Sequence, residues 1–140
     1  MATIICGTDG SAGAGEALRV ARELSAELQV RLVLAHVAAG VGSAAGAEGV
    51  TGARAREGAS RLLNRLAREH AVDPETAHRI ELGEPAEGLA RIAAEEGGTI
   101  IVVGSRRRGR RGRKLVSGLA GELAASAPCP VVVVPPPARG

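Results

Sequence analysis

The sequence predicts an α/β fold: a five-stranded parallel sheet held between two layers of helices, a three-layer sandwich. Three observations carry that expectation. Short β-branched and aliphatic runs alternate with longer stretches of 3.6-residue periodicity along the whole 140-residue chain. Each connection between strands is long enough to be a helical crossover, which parallel strands require. The strand runs are apolar at consecutive positions, as strands covered on both faces are. The length allows one domain with its own core, and residues 1–140 are read as that one domain.

The elements follow in order. Thr3–Thr8 is short and β-branched and ends in the turn cluster Asp9-Gly10-Ser11, so it reads as the first strand. Ser11 is placed to cap a helix with apolar residues at Ala14, Ala17, Leu18, Ala21, Leu24 and Leu28. Val30–Val37 is the second strand. Ala38 to Gly52 is rich in Gly, Ala and Ser and reads as a loop, followed by a helix to about His70. That helix has Ala55, Ala59, Leu62, Leu63 and Leu66 inside and Arg54, Arg61, Arg65 and Arg68 outside. Thr76–Leu82 alternates like an edge strand with one wet face. Glu84-Pro85 opens the third helix, with proline where a missing N–H costs little, and Gly97-Gly98 closes it. Thr99–Val103, the most hydrophobic strand, is expected inside the sheet. A last helix runs from Ser117 to Ala127, stopped by Pro128. Pro130–Val134 is the final strand, ended by Pro135-Pro136-Pro137.

Composition narrows the function. The chain holds 27 Ala and 20 Gly but no Phe, Tyr or Trp, which weighs against readings that need nucleic-acid bases stacked on aromatic side chains. No apolar run approaches the roughly 18 residues of a membrane span. The N-terminus enters a strand with no basic segment before it, so a cytoplasmic protein with two free thiols, Cys6 and Cys129, is expected. Cys129, between two prolines, is expected as a small buried hydrophobe, away from Cys6 at the other end of the sheet. The net charge of +3 hides an asymmetry. Arg106 to Lys114 carries seven positive charges in nine residues, and the remainder has 11 basic against 15 acidic residues.

Most catalytic readings fall away. His36, His70 and His78 sit on different elements without ligand spacing, so no metal site is expected beyond Mg accompanying a nucleotide. There is no GxSxG elbow, no Walker loop, and the GxGxxG spacing is absent from Gly7–Gly15. No catalytic residue is assigned. In a parallel sheet of this kind ligands bind beyond the carboxyl ends of the strands, where the winding reverses. That crevice is expected between the first strand, ending at Asp9, and the fourth, ending at Gly104. The segment Gly104 to Gly118, cationic and leading into a helix, is suited to an anion.

Several motifs resemble the universal stress protein family: Asp9-Gly10-Ser11, Leu34-Ala35-His36-Val37, Leu82-Gly83-Glu84-Pro85, Ile101 to Arg106, and Ala127 to Val134. Together, in order, they cover nearly the whole chain. The resemblance implies a Rossmann-like fold of the adenine nucleotide alpha hydrolase-like type, a regulatory role in stress response, a dimer through the C-terminal strand and, in one branch, ATP binding. That branch carries G-x2-G-x9-G-[ST]. Here the four positions are Gly104, Arg107, Ser117 and Gly118, so three depart from the pattern, while Gly109 and Gly118 supply glycine close by. The resemblance implies a nucleotide site with Thr8 in its lining, Asp9 near a ribose, Val37 near an adenine, and Gly104, Arg107, Gly109, Ser117 and Gly118 around phosphates. A side chain at 107 stands where glycine lets backbone approach phosphate, so ATP binding that is weak or absent is expected. Two alternatives stay open: slow ATP hydrolysis, and a nonspecific, salt-sensitive polyanion contact by the basic segment, without sequence-specific nucleic-acid binding.

Overall fold

The computed structural model describes residues 2–9, 12–38, 50–105 and 119–136. Among these residues five strands, β1 (Thr3–Gly7), β2 (Arg31–Ala38), β3 (Ala77–Leu82), β4 (Ile100–Gly104) and β5 (Val131–Val134), alternate with four helices. The helices are α1 (Ala12–Leu28), α2 (Val50–Glu69), α3 (Pro85–Glu96) and α4 (Leu119–Ser126). All pairings are parallel, in the order β3-β2-β1-β4-β5. The five-stranded α/β sandwich expected from periodicity is therefore the observed fold.

Alternation along each inner strand feeds two cores. Ile4, Cys6, Leu34 and Val102 face α1 and α2, meeting Leu18, Leu63 and Leu66. Ile5, Val33, Ile101 and Val103 face α3 and α4, meeting Leu89, Ile92 and Leu123. Each large aliphatic side chain buried this way contributes about 1.5–3 kcal/mol. Burial also pushes the Cys6 thiol up to about 12, which keeps it an inert packing group.

Helix ends are closed by a recurring bond. Gly98 N donates to Ala93 O (2.7 Å) after Gly97 at φ 67°. Val72 N donates to Ala67 O (2.8 Å) and Val30 N to Ser25 O (3.0 Å) in the same pattern. There the left-handed residues are Ala71 (φ 53°) and Gln29 (φ 56°), not glycines.

Four expectations need correction. Leu28, on the apolar stripe of α1, is 54 % exposed, because the last turn of α1 reaches past the core that receives Leu18 and Ala21. Cys129 is half-buried, since it precedes an edge strand and packs against one core only. β3 is an edge strand, yet all six of its residues are half-buried and no face is simply wet. Charged groups of α3 lie over Arg79 and Glu81 on one side. The second helix begins at Val50, ahead of Gly52. Ser11 as a cap and Ser117 as the start of the last helix lie outside the described residues.

The strands do not end level. β1 pairs with β2 up to Gly7↔Ala35, but β2 continues to Ala38, still paired with β3. On the other side β1 pairs with β4 up to Cys6↔Val102, and β4 continues to Gly104 beside Val134. The central strand stops short of both neighbours. It leaves a notch at the carboxyl end of the sheet, where the winding reverses.

Candidate functional site

The notch is two strand spacings wide, about 9.6 Å between β2 and β4. It opens into a cavity of about 240 Å³. Gly7 forms its floor. A Cβ there would lie 2.8 Å from Leu89 Cδ1 and 3.2 Å from Val103 Cγ1, both of which line the cavity. One wall is the projecting end of β2, His36 and Val37; the other is Val103, Gly104 and Ser105. The starts of α3 (Pro85) and α4 (Leu119) close the α3–α4 side, and Ala14 of α1 lies opposite.

Side-chain chemistry concentrates where β1 ends. Thr8 N continues the ladder one step, donating to Ala35 O at 2.9 Å. The Thr8 carbonyl is then met by the His36 ring, Nδ1 to O 2.6 Å. An imidazole thereby caps the strand that stopped short and fixes the peptide carrying Asp9. Thr8 is buried, whereas Asp9 is exposed at the cavity mouth. Val37 is buried and packs against α3, where a Cβ on Gly88 would come within 2.7 Å of its Cγ2.

Gly104 is required by the protein itself. A Cβ at that position would stand 2.3 Å from Gly13 O and 3.1 Å from Ala14 N. The first turn of α1 crosses the end of β4 with no room for any side chain. The glycine needed at this position is thus explained by helix–strand packing, independently of any phosphate.

Of the residues singled out from sequence, Thr8, Asp9, Val37 and Gly104 converge on this cavity. Arg107, Gly109, Ser117 and Gly118, like the basic segment 106–114, lie outside the described residues. Ser105 and Leu119, on either side of residues 106–118, both line the cavity. Sequence reasoning passed over His36 as a binding group, having weighed it only as a metal ligand. The signal was its place in Leu34-Ala35-His36-Val37 beside the turn at Asp9. Among the described residues no group of three His, Cys, Asp or Glu could hold a metal ion, and no helix is long and apolar enough to cross a membrane.

A parallel sheet wound outward from its centre, with a cavity at the reversal, is the α/β architecture whose small-molecule sites lie beyond the strand ends. The particular family is settled by sequence: the chain belongs to the Universal stress protein family, whose model matches residues 1–135. Solved structures agree. A universal stress protein family member from Burkholderia pseudomallei is 28% identical, with 95% of each chain covered and a TM-score of 0.69. A universal stress protein solved in complex with cAMP is 23% identical, covering 94% of this chain and 95% of its own, with a TM-score of 0.66. One from Archaeoglobus fulgidus, solved in complex with dAMP, is 20% identical over 95% of each chain, with a TM-score of 0.57. No curated protein sequence matches the chain.

Proposed function

We propose that the chain is a regulatory binding module of stress response that takes an adenine nucleotide into the notch at the end of β1. The observation that carries this reading is the convergence of Thr8, Asp9, Val37 and Gly104, four positions singled out from sequence, on one cavity at the reversal of winding. Structural neighbours solved with cAMP and dAMP support an adenine ligand. Size narrows it further. Pockets that enclose drug-sized ligands measure about 300–1,000 Å³, so about 240 Å³ takes a base and leaves ribose and phosphates at the mouth. Asp9 is the ribose-side acceptor, and Arg107, Gly109, Ser117 and Gly118 are assigned to the phosphates from sequence alone.

ATP binds weakly on this reading, because Arg107, Ser117 and Gly118 depart from the glycine signature. Calorimetric titration with ATP should give a dissociation constant in the micromolar range or weaker. Combining Arg107→Gly, Ser117→Gly and Gly118→Ser should tighten it. Sub-micromolar affinity in the wild type, or no change in the triple variant, contradicts the assignment of the phosphate side. With no Trp, Tyr or Phe in the chain, any co-purifying nucleotide dominates the near-ultraviolet absorbance.

The module is further proposed to work in the cytoplasm as a homodimer through β5. That strand is at the sheet edge, and Val131, Val132 and Val133 are only half-buried. An apolar edge with open N–H and C=O groups is satisfied by a two-fold copy of itself. Val132→Asp with Val134→Asp should then give monomer by sedimentation, where the wild type sediments at twice 14.1 kDa.

A further inference from the structure

We infer that His36 reads the ligand of the notch: its ring is held as the Nδ1–H tautomer by the Thr8 carbonyl, and its Nε2 accepts a hydrogen bond from an N–H or O–H of the bound nucleoside. This rests on the adenine-nucleotide reading and adds to it the group that recognises the ligand. A carbonyl oxygen only accepts, so the 2.6 Å contact between His36 Nδ1 and Thr8 O requires the proton on Nδ1. In the neutral ring Nε2 is then a lone-pair acceptor. Among the described residues none bonds Nε2, and His36 is only half-buried. His36 lines the cavity, and β1 has ended beside it.

The chemistry selects a ligand donor, such as an exocyclic amine or a ribose hydroxyl, and disfavours a carbonyl at the same place. The charged groups on the surrounding elements are Asp9 after β1, Glu16 on α1, His78 on β3, Arg54, Arg56 and Glu57 on α2, and Glu84 and Glu87 at the start of α3. Of these only Asp9 lines the cavity with His36.

The test uses the full chain and adenosine. Nitrogen NMR of the free protein at pH 8, with His36 assigned by comparison with His36→Asn, should show Nδ1 protonated and Nε2 bare. His36→Asn keeps a donor for Thr8 O and removes the second nitrogen. It should fold as the wild type and bind adenosine about fivefold more weakly at pH 8. An Nε2–H tautomer, or wild-type affinity in His36→Asn, overturns the inference. Absence of adenosine binding, with the Nδ1–H tautomer present, overturns the nucleoside reading beneath it and this use of His36 together.

Discussion

The two ends of the sheet carry hollows of opposite character. At the amino end, α1, the start of β2 and the turn before β3 enclose about 720 Å³, three times the volume of the carboxyl-end notch. Several of its polar side chains are bonded within the protein. Arg22 donates to the His70 carbonyl, Ser25 Oγ to Val30 O at 2.6 Å, and Arg31 Nη1 to Glu96 Oε1 at 2.9 Å. Asp73 accepts from Glu75 N at 2.9 Å. At the carboxyl end the walls are tight, the floor is glycine, and no described residue bonds Nε2 of His36. What separates the two ends is how closely the walls converge beside the second ring nitrogen of His36, and volume points the wrong way.

The largest effect should come from closing the carboxyl end. Gly104→Ala places a methyl against the backbone of Gly13, which cannot rotate aside, and should cost about 3 kcal/mol. Urea denaturation measures it, and a loss below about 0.5 kcal/mol would show that α1 lifts off β4 at little cost.

The second prediction concerns the ion network whose Arg31–Glu96 arm reaches the amino end. Arg79 bonds Glu95 at 2.5 Å and Glu96 at 2.6 Å, tying β3 to the end of α3, while Arg91 holds Glu81 at 3.1 Å. These pairs are partly solvent-exposed, so Arg79→Leu should cost only about 1 kcal/mol at neutral pH. Hydrogen bonds from Arg79 and then Arg31 hold the Glu96 carboxyl below its ordinary value of 4.5. A lowered folded-state value contributes stability that is present above 4.5 and lost as acid protonates the folded carboxylate. Burial lowers His78 from 6.5, and its contribution likewise fades as the pH drops below 6.5. Stability should therefore fall in two stages on acidification. His78→Gln should remove the first and Arg79→Leu should shrink the second, which pH-dependent thermal melts would show.

Much of the fold was legible in the sequence because periodicity records which way side chains face. Leu18, Ile92 and Val102 are buried for the reason their spacing predicts. Periodicity says nothing of what lies opposite, which is why Leu28 shares the stripe of α1 and stays exposed. At the site, Asp9 and Gly104 were legible as residues leaving strand ends. The stagger that makes the notch depends on register between strands far apart in the chain, and no local pattern encodes it. The same holds for His36: its partner is a backbone carbonyl 28 residues away, so its tautomer could not be read locally.

A smaller effect is expected from Ala71→Gly, again at the amino end. Ala71 sits at φ 53°, where a Cβ costs about 1 kcal/mol, partly offset by the greater freedom of glycine in the unfolded chain. A net gain of about 0.5 kcal/mol in thermal stability should follow, and a loss would mean that the conformation is unstrained. The smallest effect is the control. Arg22→Ala, which alters the larger hollow, should leave AMP affinity within about twofold of the wild type.

The most direct measurement is a backbone amide NMR titration of the full chain with AMP. The account predicts that Thr8, Asp9, Val37, Gly104 and Ser105 shift together along one saturating curve, while Ser25, Thr76 and Ala77 at the amino end stay still. Saturable shifts confined to the amino end, or none at these five residues at millimolar AMP, would contradict it.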